Sequence, residues 1–201
     1  KSIISLIKRN NDFNIEGLID LSKDFDKKET ILGFPILGNL KKLDEFMSNK
    51  IFSYFLAIGD NKIRKDIFNF LKKKGLNMPN LIDKNSHLDS TCEMGIANII
   101  FYNSYIGPLV KIGNNNILNT SCIIEHDSSV ANNCHLAPKS IICGKSYLGD
   151  SCFIGANATV INNIKICSNV TIGAGSTVIK SIENEYSKFV GSPARQIEIQ
   201  K

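Results

Sequence analysis

From Leu88 onward a bulky apolar residue recurs at every sixth position: Leu88, Met94, Ile100, Ile106, Ile112, Leu118, Ile124, Val130, Leu136, Ile142, Leu148, Ile154, Val160, Ile166, Ile172 and Val178. A helix repeats its buried face about every 3.6 residues and a strand about every 2, so neither selects one residue in six. A coil with flat sides does, each side being one short strand and a corner with one bulky side chain pointing inward. The residue two places before the bulky one is mostly small, as at Cys92, Ser104, Cys122, Ser128, Cys134, Ser140, Ser146, Cys152, Ala158 and Ser176. Gly107, Gly113, Gly149, Gly155 and Gly173 each follow a bulky residue directly, and Asn pairs at 114–115, 132–133 and 162–163 suit corners in the left-handed backbone region. Three sides to a turn give about five coils, stacked at roughly 4.8 Å into a prism about 25 Å long.

Before residue 85 the pattern is different. An apolar helix is expected over 2–9, a buried strand ending in an acid over 14–20, a turn-rich step over 33–38 and a short helix over 40–47. A second strand is expected over 53–58, followed by Gly59, Asp60 and Asn61. Residues 62–74 read as an amphipathic helix with Ile63, Ile67, Phe70 and Leu71 on its apolar face and its Lys and Arg side chains in solvent. Asp60 or Asn61 caps its start and Gly75 ends it. Strand, helix, strand alternation implies a parallel sheet, whose ligands sit at the carboxyl ends of its strands, near Asp20 and residues 59–61. The fold class expected is mainly β: a left-handed parallel β-helix over 85–201 preceded by a small α/β, Rossmann-like domain over 1–84. The handedness rests on the resemblance given below; the period alone does not set it.

Composition narrows the function classes. The chain has 201 residues, 43% of them hydrophobic and 21% charged, with a formal net charge of +5. Residues 1–84 hold 16 Lys+Arg against 11 Asp+Glu and residues 85–201 hold 8 against 8, so the excess belongs to the first region. That excess is small and no aromatic–basic motif accompanies it, so no nucleic-acid partner is expected. No apolar run approaches the roughly 18 residues of a membrane span, and no signal segment opens the chain. Six cysteines without a CxxC pair fit reduced thiols in a cytoplasmic protein. Cys92, Cys122, Cys134 and Cys152 fall in the small corner position of the hexad, as buried fillers.

Three stretches carry a resemblance: residues 54–67 (YFLAIGDNKIRKDI), 118–127 (LNTSCIIEHD) and 190–195 (VGSPAR). With the hexads between them, they resemble the sialic-acid O-acetyltransferase family of hexapeptide-repeat sugar acyltransferases, close to the bacterial UDP-4-amino-sugar N-acetyltransferases. The resemblance covers nearly the whole chain. It implies an acetyl-CoA-dependent N-acetyltransferase acting on a UDP-linked 4-amino-4,6-dideoxy sugar in bacterial surface-glycan synthesis, working as a homotrimer. O-acetylation of a sialic-type sugar remains the alternative. Family members begin with a strand and a Gly-rich loop carrying a His. This chain starts just after that point, which implies that it keeps the CoA half of its site better than the acceptor half.

The candidate chemistry centres on His126, two places after Ile124 on an outward corner and flanked by Glu125 and Asp127. Residues 18 apart stack on neighbouring coils, which puts Pro108 and Gly144 beside it. The resemblance makes His126 the general base, Asp127 (or Glu125) its supporting acid and the Gly144 N–H the oxyanion donor. It also implies that His135 meets the acetyl-CoA thioester, that Ala156 and Ala174 touch CoA through backbone groups, and that Asp20, Gly59, Asp60 and Asn61 serve the sugar nucleotide. Three other readings stay open. Cys143 could act as a nucleophile paired with His126. The three His could serve a zinc hydrolase, but their separations of 39 and 9 do not stack, so no metal is expected. The prism could also be a non-catalytic scaffold.

Overall fold

A computed structural model of the chain describes residues 1–21, 29–40, 43 and 52–198. The hexads fold as two-residue strands, such as Ile117–Leu118, Ile123–Ile124, Ser129–Val130 and His135–Leu136. Each pairs in parallel with the strand 18 residues on: Ile117 with His135, Ile123 with Ile141, Ser129 with Tyr147. The three faces of the prism are sheets of eight, six and five strands. The six strands of the middle face mark six coils, slightly more than the hexad count gives. The prism opens one side early, at Leu81–Ile82, which pairs with Ile99–Ile100.

One bulky side chain per side explains the core. Leu118, Ile124, Leu136, Ile142, Leu148 and Ile154 are all 0% exposed and belong to one cluster. The price at the corners is a left-handed residue three places after each bulky one, with φ of 57–62° from Ala97 to Asn169. That conformation costs a non-glycine residue roughly 1 kcal/mol. Bonds to the coil before offset it, such as Lys145 N–H to His126 O at 2.9 Å. The Asn residues add side-chain ladders. Asn116 Oδ1 accepts from Cys134 N–H (2.7 Å), and Asn98 Oδ1 accepts from Asn116 N–H (2.9 Å).

The first region packs on the eight-stranded face. Helix α1 (Ser2–Asn10) buries Leu6 and Ile7 against Leu81 and Ile99. Among the described residues, β1 (Leu18–Asp20) pairs in parallel with β3 (Phe34–Asn39), which pairs antiparallel with β2 (Thr30–Ile31). The sheet is therefore mixed, and the turn-rich step expected over 33–38 is a strand. Its Gly and Pro read as breakers, yet the turn itself falls on Leu32 and Gly33, both with positive φ. The helix expected over 40–47 lies outside the described residues, apart from Leu40 and Leu43.

The strand expected over 53–58 makes only an isolated bridge, Ser53 to Asn77. Its alternating pattern serves packing without a ladder: Tyr54, Leu56 and Ile58 face the cluster around Phe68 and Leu71, while Phe55 faces the cluster at Leu6 and meets Phe13 edge-on at 5.0 Å. Helix α2 (Asn61–Lys73) forms as expected, with Asp60 accepting from Ile63 N–H at 2.8 Å and Gly75 (φ +70°) ending it. Its buried face differs from the expected one. Arg64, Phe68 and Leu71 are inside, while Ile63 and Phe70 are exposed. The helix rests on a prism corner lined with carbonyl groups, and such a corner calls for a donor, which Arg64 supplies.

Candidate active site

His126 stands on the corner between Ile123–Ile124 and Ser129–Val130. The left-handed backbone of Asp127 (φ 58°) turns its carboxylate back onto the ring, with Oδ2 2.8 Å from Nδ1. Both side chains are about half exposed, so the pair opens to solvent. With the carboxylate accepting from Nδ1–H, Nε2 carries the free lone pair. Gly144 lies one coil on, and a β-carbon there would stand 2.7 Å from Nε2 and 2.8 Å from Cε1 of His126. The ring rests on the Gly144 backbone, where no side chain could fit. The Gly144 carbonyl accepts from Asn163 N–H at 3.1 Å, while its N–H has no acceptor among the described residues.

Of the two acids flanking His126, Asp127 is the one in contact with it. Glu125 acts on Cys143 instead. Burial first, and then the negative field of Glu125, push the Cys143 thiol up, which disfavours a thiolate nucleophile there. All six cysteines are free thiols. Cys122, Cys134 and Cys152 are fully buried, as corner fillers should be, whereas Cys92 is half-buried.

His135 sits on a different face, as the outward residue of His135–Leu136. Its Nδ1 lies 3.2 Å from Gly59 O, its Nε2 lies 3.4 Å from Asn119 Nδ2, and Phe153 packs edge-on at 5.2 Å. Burial lowers its pKa, against the raising effect of Gly59 O, and nearby Arg64 lowers it further. Both ring nitrogens thus have partners inside the chain. Asn61 is engaged as well, donating to Ser151 O (3.2 Å) and Cys152 O (3.1 Å). Asp60 serves as the helix cap, and Asp20 ends β1 in the first region.

Ala156 and Ala174 stack on a second corner, both exposed. Gly155 brings the coils together there, since a β-carbon on it would lie 2.4 Å from Ala174 N. One chain therefore gathers the sequence-derived residues other than Asp20 into three places. His126, Asp127 and Gly144 share one corner, Ala156 and Ala174 another, and His135 joins Gly59 and Asn61 beside the third. Arg64 escaped the sequence reading. Its spacing of four and seven from Phe68 and Leu71 was the available signal.

The remaining His, His87, stacks on Tyr105 with rings 5.2 Å apart and 8° from parallel. Among the described residues no group of three or more His, Cys, Asp or Glu is placed to hold a metal ion, and no helix is long and apolar enough to cross a membrane.

Comparison with known proteins agrees with this architecture. The family described as the PglD N-terminal domain matches residues 1–71, and the bacterial transferase hexapeptide family (six repeats) matches residues 145–180. No curated protein matches the chain. Among solved structures, a His-to-Ala mutant of GDP-perosamine N-acetyltransferase from Caulobacter crescentus, in complex with CoA and GDP-perosamine, is similar at 23% identity over 98% of this chain and 91% of that one, with a TM-score of 0.92. The acetyltransferase domain of PglB from Neisseria gonorrhoeae, in complex with acetyl coenzyme A, is similar at 21% identity over 98% and 93%, with a TM-score of 0.88. WeeI from Acinetobacter baumannii is 19% identical over 97% and 93%, with a TM-score of 0.63. At these identities the structural likeness speaks for the fold, a left-handed β-helix behind a small α/β unit. The two family matches fall on the two parts of that architecture, the PglD N-terminal domain model on the first α/β unit and the hexapeptide model on the later coils of the prism.

Proposed function

We propose that this protein transfers the acetyl group of acetyl-CoA to the amine of a UDP-linked 4-amino-4,6-dideoxy sugar in bacterial surface-glycan synthesis. The observation that carries the reading is the corner where the His126–Asp127 pair lies against the bare backbone of Gly144. His126 Nε2 takes the proton from the amine as its nitrogen bonds to the thioester carbonyl carbon. The Gly144 N–H, free of protein acceptors among the described residues, donates to the oxygen that becomes negative in the tetrahedral intermediate. Collapse breaks the carbon–sulfur bond, and protonated His126 returns its proton to the departing CoA sulfur. Asp127 holds Nδ1–H throughout and stabilises the imidazolium.

The N–H groups of Ala156 and Ala174 face the CoA chain on their own corner. Within one chain that corner is separate from His126, so a complete site needs a second copy, which fits a homotrimer with sites between neighbouring prisms. Residues 59–61 and Asp20 serve the acceptor side. A His135 contact with the thioester would require one of its ring nitrogens to exchange partners. Six free thiols fit a cytoplasmic setting.

Two neighbours in the comparison bear on the acceptor: one holds GDP-perosamine and the other is a PglB acetyltransferase domain. A thioester-release assay of the full chain with UDP- and GDP-linked 4-amino sugars and a sialic-type sugar tests the reading. It stands if a UDP-linked amine drives CoA release fastest. CoA release only with the sialic-type hydroxyl, or with no acceptor, overturns it.

A further inference from the structure

Arg64 is 1% exposed, yet it belongs to no ion pair among the described residues. Its guanidinium is surrounded by oxygen acceptors instead. Nε donates to Asn115 O (3.1 Å), and Nη2 donates to Asn133 O (2.9 Å), Cys134 O (3.0 Å) and Asn61 Oδ1 (2.8 Å). Nη1 donates to Ile58 O and Gly59 O, both at 3.2 Å. Burial lowers its pKa to about 10, so the group is a cation at neutral pH. The five donor hydrogens of one planar group thus tie two coils of the prism to the 58–61 loop.

Two of these acceptors bracket His135. Cys134 O belongs to the peptide that leads into it, and Gly59 O is the atom its Nδ1 reaches. Gly59 O is a carbonyl oxygen and can only accept, so His135 presents Nδ1–H to it, while the Arg64 bond to the same oxygen fixes where it sits. Nε2 is then the unprotonated nitrogen and accepts from Asn119 Nδ2. Asn61 repeats the tie one step away, accepting from Arg64 while donating to Ser151 O and Cys152 O.

We propose that Arg64 is a positioning residue that locks the 58–61 loop, and through Gly59 the ring of His135 in its Nδ1–H tautomer, onto the prism. The loop is thereby held at a fixed place relative to the catalytic coils. This consequence for acceptor binding rests on the function proposed above, whereas the tautomer does not.

The test has two readouts on the full chain. Long-range proton–nitrogen NMR correlations identify the tautomer of His135 in the wild type, in Arg64→Lys and in Asn61→Ala. The wild type should show protonated Nδ1 and unprotonated Nε2, and Arg64→Lys should show a mixture. Steady-state kinetics should show the acceptor KM raised on the order of tenfold to a hundredfold in Arg64→Lys. Asn61→Ala keeps the buried cation and should give a smaller rise in KM, which covers the case of Arg64→Lys failing to fold. A wild-type His135 protonated on Nε2 overturns the proposal, as does an acceptor KM unchanged in both variants. If the wild type transfers no acetyl group at all, the function reading falls while the tautomer still decides the positioning role.

Discussion

The ring of His126 lies against the backbone of Gly144, close enough that a β-carbon at 144 would come within 2.7 Å of Nε2. The two residues are 18 apart, one full coil, so the repeat itself builds the contact. Gly144→Ala should fold, because the other coil contacts are untouched, but must push the ring aside. Displacement of a catalytic group by about 1 Å can cost on the order of a hundredfold. The expected outcome is a fall in kcat of that order with the melting temperature little changed, measured by thioester release and thermal unfolding.

Asp127 makes the contact to Nδ1 that Glu125 does not. Asp127→Ala should free the ring to rotate and change tautomer, lowering kcat by at least about tenfold within the range typical of general-base catalysis. Glu125→Gln should leave kcat within about twofold. The reverse ranking would assign the supporting role to Glu125.

The Cys143 thiol is held up by burial and by Glu125. A raised pKa means less thiolate at neutral pH, and more only as the pH climbs toward the shifted value. Alkylation of Cys143 by iodoacetamide, followed by mass spectrometry, should be slower than for a free thiol at pH 7.5 and should accelerate on raising the pH. Cys143→Ala should leave the steady-state rate unchanged, and a large loss would revive the covalent route.

Asn116 is fully buried, accepts from Cys134 N–H and donates to Ala131 O at 2.9 Å. Asn116→Ala leaves both backbone groups without partners and should destabilise the prism by about 1–3 kcal/mol. Denaturant unfolding of the two proteins checks this.

The prism was legible because one bulky residue per side is the only requirement that repeats every six residues, and Ile124 or Leu136 could stand nowhere else. The corner of His126 and Gly144 was legible for the same reason, since register alone stacks residues 18 apart. The first region was not. Residues 53–58 have strand alternation, but they use it to face two clusters without a ladder. Arg64 looked like one of several solvated cations on α2, and only the carbonyl-lined corner of the prism makes it a buried donor. His135 was read from its motif position alone, and its contact with Gly59 spans 76 residues of sequence, a separation that no local pattern reports.

The most direct test is the rate of CoA release from acetyl-CoA with a UDP-linked 4-amino-4,6-dideoxy sugar, wild type against His126→Ala. Loss of a general base should lower kcat by about 10²–10⁴-fold while acetyl-CoA still binds. A His126→Ala protein that turns over at the wild-type rate would contradict the account.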